Sequence, residues 1–157
     1  MTEPLKTYAL GFMFYRSPLG ELTVVLIKKK RPAWQAGLLN GIGGKVEDGE
    51  TPEQAMVREF KEEAGLITMP EDWKHVLTMT LDNDAERERT GRAAKVEVFS
   101  YVFTKGRPPV ASQTDEELRH VPAELALHFP HTPNLRWLLP LCIYADTKSP
   151  FTMEMAS

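Results

Sequence analysis

The sequence predicts an α/β fold, a mixed β-sheet with helices covering its faces, on three observations. Four runs rich in β-branched, aromatic and aliphatic residues are separated by polar, Gly- and Pro-containing segments. Two segments open on Thr-Pro, a hydroxyl cap followed by a residue preset for the first helical turn. Strands and helices follow one another without the strict β-α-β order of a parallel sheet. The 157 residues fit one domain spanning 1–157, and 42% apolar against 26% charged residues can fill a core.

The first strand is expected over Tyr8–Tyr15 and the second over Leu22–Ile27, with Ser17, Pro18 and Gly20 in the turn between them. The basic run Lys28–Arg31 follows; it is read as a solvated strand end, with phosphate binding as the functional alternative. Gly41, Gly43 and Gly44 crowd the next segment, which reads as a loop that bends tightly or approaches another group closely. Thr51, Pro52 and Gln54 then spell a capping box, so a helix should run from Pro52 to about Ala64, with Gly65 just past its end. Strands follow over His75–Leu81 and Val96–Thr104, joined by a polar loop. Thr132 and Pro133 open a last helix, Asn134–Tyr144, which Pro140 should kink or divide.

Chemistry concentrates on the first helix. With Ala55 at zero on a wheel of about 100° per residue, Glu59 falls near 40°, Glu62 near 340° and Glu63 near 80°. Met56, Phe60, Ala64 and Val57 form the adjoining apolar stripe that docks the helix. Carboxylates three and four residues apart repel, and a hard divalent cation with oxygen ligands relieves that repulsion. Ala55 among the acids is read as leaving room for a ligand. Arg58, four residues before Glu62, is positioned to pair with a carboxylate and fix its rotamer.

The charge balance narrows the partners. A net charge of −3 and a sequence pI near 5.8 argue against a chain that coats nucleic acid polymers. The lone Cys142 makes no internal disulfide, which suits a reducing, cytoplasmic setting. No leader or membrane-length apolar run is seen, so the chain reads as soluble, without a membrane partner, and as a monomer or homodimer.

Across loop and helix, Gly44, Glu50, Arg58-Glu59-Phe60, Glu62-Glu63 and Gly65-Leu66 stand at the spacing Gx5Ex7REUxEExGU, with U aliphatic. This resembles the Nudix box. At average residue usage a match at a given start arises with a probability on the order of one in a hundred million, which sets chance aside. Phe60 in an aliphatic slot is the one departure. The resemblance implies a Nudix-type α/β/α sandwich and a MutT-like nucleotide pyrophosphohydrolase that uses Mg²⁺ or Mn²⁺.

Residue by residue, the resemblance makes Glu59 and Glu63 the principal metal ligands, Glu62 a further ligand directly or through water, and the Gly43 carbonyl a backbone ligand. Glu50 and Arg58 match positions that hold the loop against the helix; Gly44 and Gly65 match positions set by backbone shape. The general base is sought at Glu59 or Glu62, then Glu97, then Glu86 or Glu88. Glu97, on a strand, is carried as a metal ligand against an outward-facing surface acid.

Asn40, Gly44 and Lys45 lie in a segment similar to the one that precedes the box in oxidised-purine diphosphatases, where an Asn contacts the base; the alternative is that Asn40 caps the turn before Gly41. Trp34, Phe129 and Trp137 are candidate base-stacking rings, with core packing the expectation for each. The resemblance therefore implies hydrolysis of a (d)NTP to a (d)NMP and pyrophosphate, oxidised nucleotides included. Cleavage of ADP-ribose or nucleotide sugars, and a non-catalytic nucleotide-binding regulator, are the alternatives.

Overall fold

The computed structural model describes residues 5–82 and 93–144, and the backbone of 151–156. Eight strands form one sheet: β1 (Lys6–Arg16), β2 (Leu22–Lys28), β3 (Leu39–Asn40), β4 (Ile42–Lys45), β5 (Lys74–Asp82), β6 (Ala94–Val102), β7 (Glu117–Pro122) and β8 (Phe151–Ala156). The helices are α1 (Pro52–Ala64) and α2 (Leu135–Tyr144). The sheet is mixed: β1 with β6 and β5 with β8 are parallel, and the other pairs are antiparallel.

β1 explains how the site is built. One edge pairs with β6 from Lys6 to Phe14. The other edge is shared, by β4 opposite Tyr8–Gly11 and by β2 opposite Met13–Arg16. β2 likewise gives one edge to β7 and shares the other between β1 and β3. β1 and β2 thus part, and the β3–β4 segment wedges between them.

Both faces of β1 are covered, so its apolar run is continuous rather than alternating. Leu10, Phe12 and Phe14 join Leu135, Leu138 and Leu139 of α2 in one core. Ala9, Met13 and Tyr15 join Ala55, Met56 and Phe60 of α1 in the other. These two layers on one sheet make the expected α/β/α sandwich. At Gly11 a Cβ would stand 2.6 Å from Met56 Sδ, so glycine there lets α1 lie close to the sheet.

α1 has the bounds its caps dictate: the Thr51 hydroxyl accepts from Gln54 N, Gln54 Oε1 accepts from Thr51 N, and Gly65 takes the left-handed conformation at φ 76°. α2 differs from expectation. The Thr132 hydroxyl bonds to the Leu39 carbonyl rather than capping the helix, and Pro140 does not divide it. Pro140 is exposed, so a carbonyl freed by its missing N–H can turn to water. The three clustered glycines lie in and beside strands, not in a loop, and none has positive φ.

Candidate active site

The site is assembled where the glycine wedge meets α1. Gly43 pairs with Leu10, and a Cβ on it would overlap the Ala9 carbonyl. Gly44 pairs with Ala9, and a Cβ on it would overlap the Glu59 carboxylate. Gly44 is therefore the floor on which Glu59 rests. The glycines serve close approach rather than a bend.

Arg58 ties this floor to the helix. Its Nε and Nη2 donate to Glu50 Oε2 and Oε1 at 2.7 and 2.9 Å, and Nη2 also donates to the Lys45 carbonyl at 2.9 Å. Its Nη1 donates to Glu59 Oε1 at 2.8 Å and reaches Glu62 Oε2 at 3.4 Å. Glu50 in turn accepts from the Glu47 N–H. The arginine hydrogen bond holds the Glu50 carboxyl below its ordinary range, and its bonds to Glu50 and Glu59 push Arg58 above its own. A planar guanidinium with five donors is the side chain that can fill all these positions.

The remaining acids differ in environment. Burial raises the Glu59 carboxyl above its ordinary value, and Arg58 opposes that rise. Burial raises Glu63 further, to about 7, against the pull of the Lys29 charge and with the push of Glu116 and Glu59. Glu63 Oε2 is buried without a hydrogen-bond partner. Glu62 is the open member, its side chain 57% exposed.

An unsatisfied buried carboxylate oxygen is costly unless a cation reaches it. Glu59, Glu62 and Glu63 offer oxygen donors of the kind hard divalent cations take. Among the described residues no group of three His, Cys, Asp or Glu side chains forms a ready metal cluster. Mg²⁺ keeps waters and takes substrate phosphates as ligands, so a few carboxylates suffice.

Other sequence candidates are placed differently. Ala55 leaves no room for a ligand: it is fully buried in the core cluster that also holds Met56, Phe60 and Ala64. Glu97 is neither an outward-facing acid nor joined to the box by a hydrogen bond. It is 5% exposed and accepts from Thr78 at 2.7 Å, with Lys95 Nζ at 3.1 Å and His75 alongside. Burial works against its ionisation, but those partners outweigh it and hold the carboxyl below the ordinary range. Glu86 and Glu88 lie outside the described residues.

Asn40 Oδ1 accepts from Gly41 N at 2.8 Å, the local cap, which leaves its amide N–H₂ as donor. Lys45 is exposed at the end of β4. Trp34, Phe129 and Trp137, expected in the core, are 59%, 48% and 43% exposed. The basic run is also held rather than free: Arg31 bonds Asp115 at 2.6 Å and Lys29 bonds Glu116 at 3.2 Å. Sequence reasoning missed Asp115 and Glu116. Two acids directly before β7 were the available signal, opposite in sign to the run they meet.

The family model of the NUDIX domain matches residues 7–142. An oxidized purine nucleoside triphosphate hydrolase of Danio rerio is 55% identical over 42 residues, 27% of this chain and 27% of that protein. The 8-oxo-dGTP diphosphatase of Escherichia coli is 46% identical over 43 residues, 27% of this chain and 33% of that protein. These matches span about a quarter to a third of the curated relatives. Among solved structures, the NUDIX domain of Shewanella oneidensis NrtR, complexed with ADP ribose, superposes with a TM-score of 0.69 at 16% identity, covering 89% of this chain and 87% of that one; this likeness concerns the fold. The glycine wedge, the Arg58 clamp and the family match over most of its length agree, and the chain belongs to the Nudix family.

Proposed function

We propose that this chain hydrolyses nucleoside diphosphate-linked substrates with the help of a divalent cation, cutting a (d)NTP to a (d)NMP and pyrophosphate. The observation that carries this reading is the buried, unpartnered Glu63 Oε2 beside a Glu59 carboxylate seated on Gly44. Such a pair is stable when a cation covers it and strained when none does.

Glu59 and Glu63, with the Gly43 carbonyl, would hold Mg²⁺ or Mn²⁺, and Glu62 would join directly or through water. When bound, that cation screens the phosphate oxygens and lowers the pKa of water. Arg58 fixes the rotamer of Glu59 and, through Glu50 and the Lys45 carbonyl, keeps α1 in register with the glycine wedge. Glu62, exposed and aligned by the same guanidinium, accepts the proton of the attacking water. The exposed Lys45 ammonium adds positive potential for an anionic substrate.

The named activities of the Danio rerio and Escherichia coli relatives support an oxidised purine nucleotide as substrate. Here the donor left on Asn40 reads the base edge, and the exposed Trp34 and Phe129 rings offer stacking faces. Assay of (d)NTPs, 8-oxo-dGTP, ADP-ribose, nucleotide sugars and dinucleoside polyphosphates by kcat/KM tests the reading. Pyrophosphate release from a (d)NTP that requires Mg²⁺ and disappears in Glu59→Gln is the expected outcome. Full activity in Glu59→Gln defeats it, and turnover confined to ADP-ribose replaces the substrate class.

A further inference from the structure

Where the core beneath α2 ends, the sheet opens a cavity away from the box. Every second residue of β2 faces that core, and along this face Val24 and Leu26 are fully buried whereas Lys28 is exposed. Cross-strand partners share the face: Val121 stands beside Val24, Arg119 beside Leu26 and Leu39 beside Lys28. The short 3₁₀ helix Ala123–His128 and the residue after it bring Leu125 and Phe129 to the same corner. The result is a cup of about 290 Å³. No box glutamate lines it, nor does Asn40. Leu39 and Asn40 are neighbours on β3 and point to opposite faces, so the cup lies behind the residue proposed to read the base.

The lining selects a chemistry. Among the described residues, no carboxylate, hydroxyl or amide side chain lines the cup. The Gly37 and Leu39 N–H groups beside it already donate to the Lys29 and Pro130 carbonyls. A purine edge placed here would leave its polar groups unpaired. A hydrocarbon body has no such need, and since an apolar cavity of about 150 Å³ takes benzene, this one admits something larger.

Charge is supplied by one residue. Glu117, the cross-strand partner of Lys28, is claimed by Arg119, whose Nε and Nη2 donate to it at 2.9 and 2.6 Å. His120 is turned to the other face, where its Nδ1 lies 2.8 Å from the Tyr15 hydroxyl. Lys28 makes no hydrogen bond or ion pair among the described residues, so its ammonium is the cation left at the cup.

We propose that this cup binds a small amphipathic anion, a short acyl or aryl carboxylate, with its hydrocarbon body against Leu39, Val121, Leu125 and Phe129 and its head on Lys28. The site is separate from the metal-dependent centre and stands without it.

The test is calorimetric titration of the full chain with octanoate and with the neutral 1-octanol, in the absence of metal and nucleotide. Octanoate should bind saturably, and 1-octanol about fivefold more weakly, the upper worth of an ion pair at a surface rim. Lys28→Gln should bring octanoate down to the level of 1-octanol and leave 1-octanol unchanged. Leu125→Trp puts a larger ring at an exposed position lining the cup, and should abolish binding of both probes while the melting temperature and any metal-dependent turnover stay those of wild type. Octanoate binding that survives Leu125→Trp overturns the proposal, as does octanoate affinity unchanged in Lys28→Gln or no saturable binding to wild type. Failure of the pyrophosphohydrolase reading would show as missing pyrophosphate release and would leave these titrations as they are.

Discussion

Arg58 grips both carboxylate oxygens of Glu50 across the gap between α1 and the loop before it, at 2.7 and 2.9 Å. The same guanidinium also touches Glu59 and the Lys45 carbonyl, so one side chain sets the distance between the helix and its floor. Lysine offers a point charge and cannot replace two parallel bonds.

Arg58→Lys should therefore cost about 1–3 kcal/mol of stability, the range of a charge-assisted pair held away from solvent. Its effect on Mn²⁺ affinity should be larger than that of any exposed arginine, because Glu59 loses its orienter. Equilibrium urea unfolding and Mn²⁺ titration of Arg58→Lys and of the exposed Arg136→Lys measure both; equal behaviour of the two variants would contradict the clamp.

Neighbouring glycines should fail in different ways. Gly43→Ala drives a methyl into the Ala9 carbonyl, backbone against backbone, and should unpair β4 from β1 with loss of soluble protein. Gly44→Ala meets only the end of the Glu59 side chain, which can rotate away. It should melt within about 1 kcal/mol of wild type, a typical bound for a small relieved clash, while losing most metal-dependent activity. Circular dichroism melting with a parallel activity assay separates the cases.

The pH dependence of stability has two limbs of opposite sign. Glu63 is raised to about 7 in the folded chain, so its contribution is whole below the ordinary carboxylate value of 4.5 and is lost as pH rises through 7. Metal-free protein should melt at lower temperature at pH 8 than at pH 6, and saturating Mn²⁺ should shrink that difference. Glu50 and Glu116 are held low, so their contribution is present above 4.5 and is lost as pH falls through their lower folded values. Calorimetric melting from pH 3 to 8, with and without Mn²⁺, checks both limbs; parallel curves would remove Glu63 from the metal site.

Burial pushes the Cys142 thiol up to about 12, and the side chain is 8% exposed in the α2 core. Because the thiolate is the reactive form, a disulfide reagent at neutral pH should label Cys142 at the rate of unfolding and rapidly in denaturant. Fast labelling of the native protein would show that α2 opens locally.

The sequence announces α1 almost to the residue because each end carries its own chemistry: Thr51 and Gln54 exchange bonds at one end, and Gly65 turns left-handed at the other. The Arg58 and glutamate constellation was legible for the same reason, since one helix carries Arg58, Glu59, Glu62 and Glu63 at fixed angles. β3 and β4 were hidden because glycine was read as a turn signal, whereas here it admits a carbonyl and a carboxylate. β7, Glu117–Pro122, has one buried residue, Val121, and gives little apolar pattern to detect. Glu97 and Glu116 owe their burial to partners distant in the chain, Thr78 and Lys29, which no local spacing reveals.

The parallel pairing of β1 with β6 joins Lys6 to Ala94 and Phe14 to Val102. During synthesis at about 5–20 residues per second, the first strand emerges from the ribosome several seconds before the partner that covers its far edge. Until then its apolar run has no complete home, and such high contact order slows the folding of any chain. Leu10, Phe12 and Phe14 of a newly made β1 thus stay short of their full packing until β6 arrives, the kind of transient apolar exposure that invites chaperones and aggregation.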